Sequence, residues 1–194
     1  TNSGVRSFRI DPQQPRLNMS TATSVSNTLI PQTAFEPTLG PESRLWIFLA
    51  ERPLDASETA EVQAALDIFT RQWTAHNQAL LARGEVFQNQ IIVLAVDESQ
   101  AGASGCSIDK SVHFLETLGR QTGVDFLEKM RFAWLDNELW RICSRQAFAQ
   151  LLQEGRITPQ TLVANTLVAT KRELSEKWMA PLEQSWHRRL FSLS

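Results

Sequence analysis

Ile91 to Ser111 reads IIVLAVDESQAGASGCSIDKS, and the reading of the fold turns on it. Six apolar residues run into Asp97-Glu98, a loop of small residues follows, and Cys106 falls where a helix should begin. An unbroken, partly β-branched apolar run of this length predicts a strand buried on both faces, Gln90 to Val96, rather than a half-solvated one. Strand, tight loop and helix start, with polar groups gathered at the junction, is how α/β-type domains build ligand sites.

Working outward on the N-terminal side, Leu45-Trp46-Ile47-Phe48-Leu49-Ala50 is apolar on both alternating faces and predicts a second covered strand. Asp55-Ala56-Ser57-Glu58 fits a capping box. Val62, Ala65, Leu66, Phe69 and Trp73 follow at helical spacing, so a helix is expected over 56–76. Residues 80–88 read as a further strand. On the C-terminal side, Ile108, Val112, Leu115 and either Leu118 or Gly119 mark one face of a second helix ending near Gly123. Phe132 to Leu135 and Leu139 to Cys143 flank Asp136-Asn137-Glu138 and read as a hairpin. Ser144 caps a short helix with Phe148, Leu151 and Leu152, closed by Gly155. Leu162 to Thr170 reads as extended, and Thr170 to Glu173 as another capping box opening a helix to about Trp178. Pro181 is expected to start a last helix presenting Leu182, Trp186 and Leu190.

This order predicts an α+β fold: one domain over 41–194, with a mixed or mostly antiparallel sheet and helices packed on one face. The core is split βαβ-like, with a C-terminal β-α-α extension. Residues 1–40 are rich in Ser, Thr, Pro, Asn and Gln and lack a sustained period, so they read as an irregular arm without a core of its own. Met19 reads as a candidate natural start, which would make 1–18 an extension.

The net charge of −2 argues against a generally basic nucleic-acid binder. No apolar run approaches the roughly 20 residues that span a bilayer. Two cysteines, Cys106 and Cys143, make neither a disulfide framework nor a zinc spacing, and the three histidines form no metal motif. The simplest compartment is the cytoplasm. The sequence identifies no cofactor.

Lys110-Ser111 after a strand and loop invites comparison with a P-loop. In that register the two glycine positions hold Ser104 and Asp109. A carboxylate beside the lysine opposes a polyphosphate, and the glycines that let backbone wrap it are missing. Asp97-Glu98 stands at a strand end, as the magnesium-binding carboxylates of such ATPases do, but on the strand that precedes the loop.

Asp97-Glu98-Ser99, then Ser104-Gly105-Cys106-Ser107-Ile108-Asp109 and Ser111, resembles an uncharacterised family of Bacteroidota proteins. So do Asn165 to Leu174 and the closing Ser185-Trp186-His187 with Arg189; the likeness covers about residues 44–191. Members often carry the label "ABC transporter ATPase", which the motifs here do not support. The resemblance implies no catalytic residues.

Three functions stay open. The first is a binding or accessory protein with a small anion site at 104–107, where N–H groups at a helix start meet phosphate or carboxylate. Asp97, Glu98, Ser99, Ser104, Gly105, Ser107, Asp109 and Lys110 would line it. The second is a cysteine-dependent enzyme. Cys106 in a first helical turn meets the positive end of the dipole, with Lys110 adding and Asp109 subtracting. His113 lies about 10 Å further along the axis, too far for a direct bond; His76 or His187 would have to be brought close by the fold. The third is a protein-interaction module using exposed tryptophans, of which the chain has six. Trp46, Trp73 and Trp186 sit at core-facing spacings, and Trp134, Trp140 and Trp178 are undetermined. Asp97 and Glu98 read either as converging carboxylates that hold a metal or act as acid and base, or as a solvated strand end whose side chains satisfy loop N–H groups. Lys171, Arg172, Lys177, Arg188 and Arg189 read as a C-terminal basic patch or a solvated helix face.

Overall fold

The computed structural model describes residues 29–31, 39–99 and 103–191. Most of the expected arm, including Met19 and residues 1–18, lies outside the described residues.

Strand β1 (Arg44–Leu49) leads into helix α1 (Ala56–Gln72). Asp55 accepts from Glu58 N–H (2.8 Å) and Glu58 accepts from Asp55 N–H (2.9 Å), so both halves of the capping box form. A two-residue hairpin, β2 (Thr74–Ala75) and β3 (Gln78–Ala79), precedes β4 (Leu81–Phe87) and β5 (Ile91–Asp97). Helix α2 (Gly105–Thr122) ends at Gly123, whose left-handed φ of 65° is one a side chain adopts with strain. The hairpin β6 (Arg131–Asp136) and β7 (Leu139–Ser144) turns through Asn137 and Glu138, both with positive φ. That is the twist-matched geometry of a two-residue loop. Helix α3 (Arg145–Gln153), β8 (Leu162–Ala164), α4 (Lys171–Lys177), β9 (Met179–Pro181), a 3-10 turn (Leu182–Gln184) and α5 (His187–Leu190) complete the chain.

The α+β reading holds. β1 and β4 both pair antiparallel with β5, so they run parallel to each other, joined through α1, with β5 between them: a split βαβ unit. α1 and α2 cover one face of this sheet. The other face packs on a second antiparallel sheet, ordered β7-β6-β8-β9. Alternation along each strand assigns the side chains. Ile92, Leu94 and Val96 join Val62, Leu66, Leu115 and Leu118 in the helix-side core. Ile91, Val93 and Ala95 join Leu45, Leu49, Ala133, Trp140, Ala164 and Trp178 between the sheets. Phe132, Trp134, Phe148, Val163 and Leu182 form a third core on the outer face of the second sheet. The chain thus stacks four layers: helices, sheet, sheet, helices and turns. β5 is apolar from Ile91 to Val96 because it serves two of the three cores.

Two details fix these layers. Gly84 on β4 lies against α1, and a Cβ there would stand 3.1 Å from Leu66 Cβ, so any side chain would force Leu66 to give by a few tenths of an ångström. Between the sheets, Trp140 and Trp178 meet edge-to-face at 5.5 Å, and both indole N–H groups donate to Leu29 O at 2.9 Å. One carbonyl, with its two lone pairs, satisfies two buried donors.

Three expectations need correction. α1 stops at Gln72, because Trp73 turns extended and enters the core. The extended run expected to Thr170 is a strand only to Ala164. The helix expected from Pro181 is only a 3-10 turn and a four-residue helix, because Met179, Ala180 and Pro181 pair with Ala164, Val163 and Leu162. Pro181 is tolerated there because β9 is an edge strand.

Candidate functional site

The junction after β5 is tied to itself. Asp97 accepts from Ser99 N–H (2.8 Å), and this bond holds its carboxyl below the usual range. Glu98 accepts from Ala103 N–H (2.9 Å) and pairs with Arg44 at 3.7 Å. The two carboxylates hold the loop rather than converge, and no group of three metal-ligating side chains exists among the described residues. Ser104 and Ser107 cap each other: Ser104 N–H donates to Ser107 Oγ (2.7 Å) and Ser107 N–H to Ser104 Oγ (3.3 Å). Ser107 is buried, and its carbonyl accepts from the Trp73 indole (2.8 Å). Of the expected anion site, the N–H groups of Gly105 and Cys106 remain without a partner among the described residues, and both residues are exposed.

Cys106 is exposed, not the small buried filler that free cysteines usually are. Its thiol has no hydrogen-bond partner among the described residues. His113 turns to Glu116 (3.5 Å), and His76 sits exposed in the β2–β3 turn. His187 is 1% exposed, stacked on Trp186 at 3.9 Å between centroids, with Nδ1 3.2 Å from Ser185 Oγ. Burial pushes its pKa down to about 4, so it is a neutral core residue. Cys143 is half-buried on β7, and burial raises its thiol to about 11.

Cys106 opens onto a feature that the sequence reading did not assemble. Where the end of α1 meets the start of α2, a groove of about 590 Å³ is lined by Phe69, Trp73, Phe114, Cys106, Asp109 and Lys110, among others. Phe69 and Phe114 stack at 4.4 Å with an interplanar angle of 11°, and Phe69 lies 5.0 Å from Trp73. Trp73 is fixed by its bond to Ser107 O, and Trp46 lies 5.8 Å beyond. The floor is aromatic and held; the rim is polar. Lys110 Nζ rests 3.2 Å from Thr74 Oγ1 and stays exposed. Phe69 and Trp73, four apart at a helix end, were legible as a pair; their pairing with Phe114 depends on how α1 meets α2.

The tryptophan-surface reading loses its surface. None of the six tryptophans is exposed; Trp134, Trp140 and Trp178 are buried because each faces a core between layers. The basic patch also dissolves in part. Lys171 is buried and donates to Leu39 O (2.7 Å), Arg172 pairs with Glu42, and Lys177 with Glu173 (3.0 Å). Arg188 and Arg189 are exposed. No helix among the described residues is long and apolar enough to cross a membrane.

No family model, curated protein or solved structure matches the chain.

Proposed function

We propose that this is a binding or accessory protein whose α1–α2 groove holds a small ligand with a planar apolar body and one anionic group. The observation that carries this reading is the stacked Phe69–Phe114 pair over the anchored Trp73, open on one side and rimmed by Lys110 and the first turn of α2. Ligand pockets combine such apolar linings with a few placed polar groups. A ring settles on the aromatic floor, and its carboxylate or phosphate meets the Lys110 ammonium and the N–H groups of Gly105 and Cys106. Asp109 on the same rim disfavours a multiply charged ligand such as a polyphosphate.

The test compares indole-3-acetate with tryptophol, the same ring bearing an alcohol, in titrations followed at the amides of Gly105, Cys106 and Lys110 and the Trp73 indole N–H. The acid is expected to shift all four and to bind more tightly than the alcohol, and Lys110→Ala should remove that preference. No shift at millimolar ligand, or equal binding of acid and alcohol, would end the reading.

The exposure of Cys106 on this rim also supports the thiol-enzyme reading. Rapid covalent capture of iodoacetamide at Cys106, together with loss of function in Cys106→Ser, would favour it over simple binding.

A further inference from the structure

The two edges of the three-stranded sheet are finished differently. On β4, the Gln63 side-chain amide donates to Gly84 O (3.0 Å) and accepts from Val86 N–H (2.9 Å), so groups that a further strand would use are taken. Edges are commonly guarded in such ways. β1 is closed only at its ends. Leu45 N–H donates to Ala169 O (2.9 Å), and Leu49 O accepts from the Arg131 guanidinium (2.9 Å). The register with β5 is regular from Arg44 to Leu49, so backbone groups alternate and those of Leu45, Ile47 and Leu49 face away from β5. Between the two plugs, Leu45 C=O, Ile47 N–H and C=O, and Leu49 N–H have no partner among the described residues. A second groove, of about 390 Å³, runs along Ile47, Phe48 and Leu49 and is walled by Val112, Leu127 and Leu167. Leu167 is 66% exposed.

We infer that β1 is a strand-addition site for a short extended segment of a partner protein. A row of alternating donors and acceptors at strand spacing is complementary to an extended main chain and to little else. Side chains of the incoming segment alternate between the Phe48 face and the Ile47 and Leu49 face. Phe48 belongs to the helix-side core and Ile47 and Leu49 to the core between the sheets, so apolar residues suit both directions. Lys129 lines the same groove, exposed and without an ion-pair partner among the described residues. Its acidic neighbours are engaged: Asp125 with Arg131, and Glu128 with Met130 N–H (2.8 Å). An acidic residue flanking the apolar segment therefore has a partner. The plugs confine the open edge to about three residues and recess it. The β1 edge of a second copy is recessed in the same way, so two such edges do not meet; a free segment does.

The experiment titrates ¹⁵N-labelled protein with an acetylated, amidated pentapeptide of sequence TVVVD. The amides of Ile47 and Leu49 should shift and exchange at least tenfold more slowly with solvent, while that of Val86, bonded to Gln63 on the opposite edge, stays unchanged. Of two peptides, N-methylated at the second or the third valine, one should lose at least tenfold in affinity, since only alternate N–H groups face β1. Ile47→Pro removes one outward donor at an edge and should abolish binding with the fold intact; if that variant does not fold, the methylated peptides decide. No shift at millimolar peptide, or equal binding of the parent and both methylated peptides, overturns the inference. Concentration-dependent shifts at Ile47 and Leu49 in protein alone would assign the edge to a second copy and overturn it equally.

Discussion

Two aromatic clusters of similar make-up stand in different places and serve different ends. Between the sheets, Trp140 and Trp178 are enclosed, and both indoles are satisfied by Leu29 O. At the α1–α2 junction, Phe69 stacks on Phe114 and leans on Trp73, yet Phe69 and Phe114 remain half-open to solvent. What separates them is the next layer. The first cluster has a sheet on each side; the second lies at the rim of a helix pair with nothing packed over it. Aromatic content alone does not mark a binding surface, but an ordered aromatic floor without a cover does.

The largest effect that can sharpen this contrast is expected from the closed cluster. Trp140→Ala should cost about 3–5 kcal/mol in urea unfolding, as large-to-small core changes do. Trp140→Phe should cost far less, because Leu29 O keeps the Trp178 donor. If Trp140→Ala proves as mild as a surface change, the enclosed cluster is not holding the sheets together.

Next comes acid. His187 is neutral in the folded protein with a pKa of about 4, against 6.5 when unfolded. Between these values the unfolded chain binds the proton and the folded chain does not, so stability is lost as pH falls from about 6.5 to about 4. The loss reaches about 3 kcal/mol below that window and is absent above it. His187→Phe should flatten that part of the pH–stability curve; an unchanged slope would show that His187 is not the group responsible.

A smaller effect is expected in the open cluster. Phe69→Ala removes a half-buried ring and should cost about 1–2 kcal/mol, below the usual price of a core phenylalanine, while abolishing indole-3-acetate binding. Calorimetry and the same titration read both. A cost equal to that of Trp140→Ala would make the groove floor a core element and weaken the contrast.

The smallest effect concerns the thiols. Cys106→Ser should change stability by no more than about 0.5 kcal/mol, as exposed changes usually do. In native protein near neutral pH, iodoacetamide should label Cys106 well before Cys143, whose thiol is half-buried and raised to about 11. Equal labelling, read by mass spectrometry after digestion, would remove the difference between the rim and the strand.

Local devices were legible because their physics is local. Asp55 and Glu58, Ser144 and Ala147, and Gly123 all act within a turn or so of chain, and each does what its type and spacing indicate. Thr170 bonds Glu173 N–H as a cap should, although the Glu173 carboxylate reaches Ala169 N–H instead of closing the box. The candidate site was legible only in part. Cys106 and Lys110 were singled out, but their aromatic floor was not, because Phe69 and Phe114 are 45 residues apart and meet only when α1 packs beside α2. Ser107 looked like a ligand donor and is a cap, since its hydroxyl and carbonyl are used inside the fold.

By itself the sequence determined the element order, the helix starts, the doubly covered β5 and the α+β class, because capping, periodicity and turn chemistry act over a few residues. Only the tertiary structure decided that there are two sheets face to face, that Met179 to Pro181 join the second as an edge strand, and which aromatic clusters are closed and which sheet edge stays open. Those outcomes rest on residues far apart in the chain competing for the same buried surface and the same backbone donors, and no local pattern records who wins.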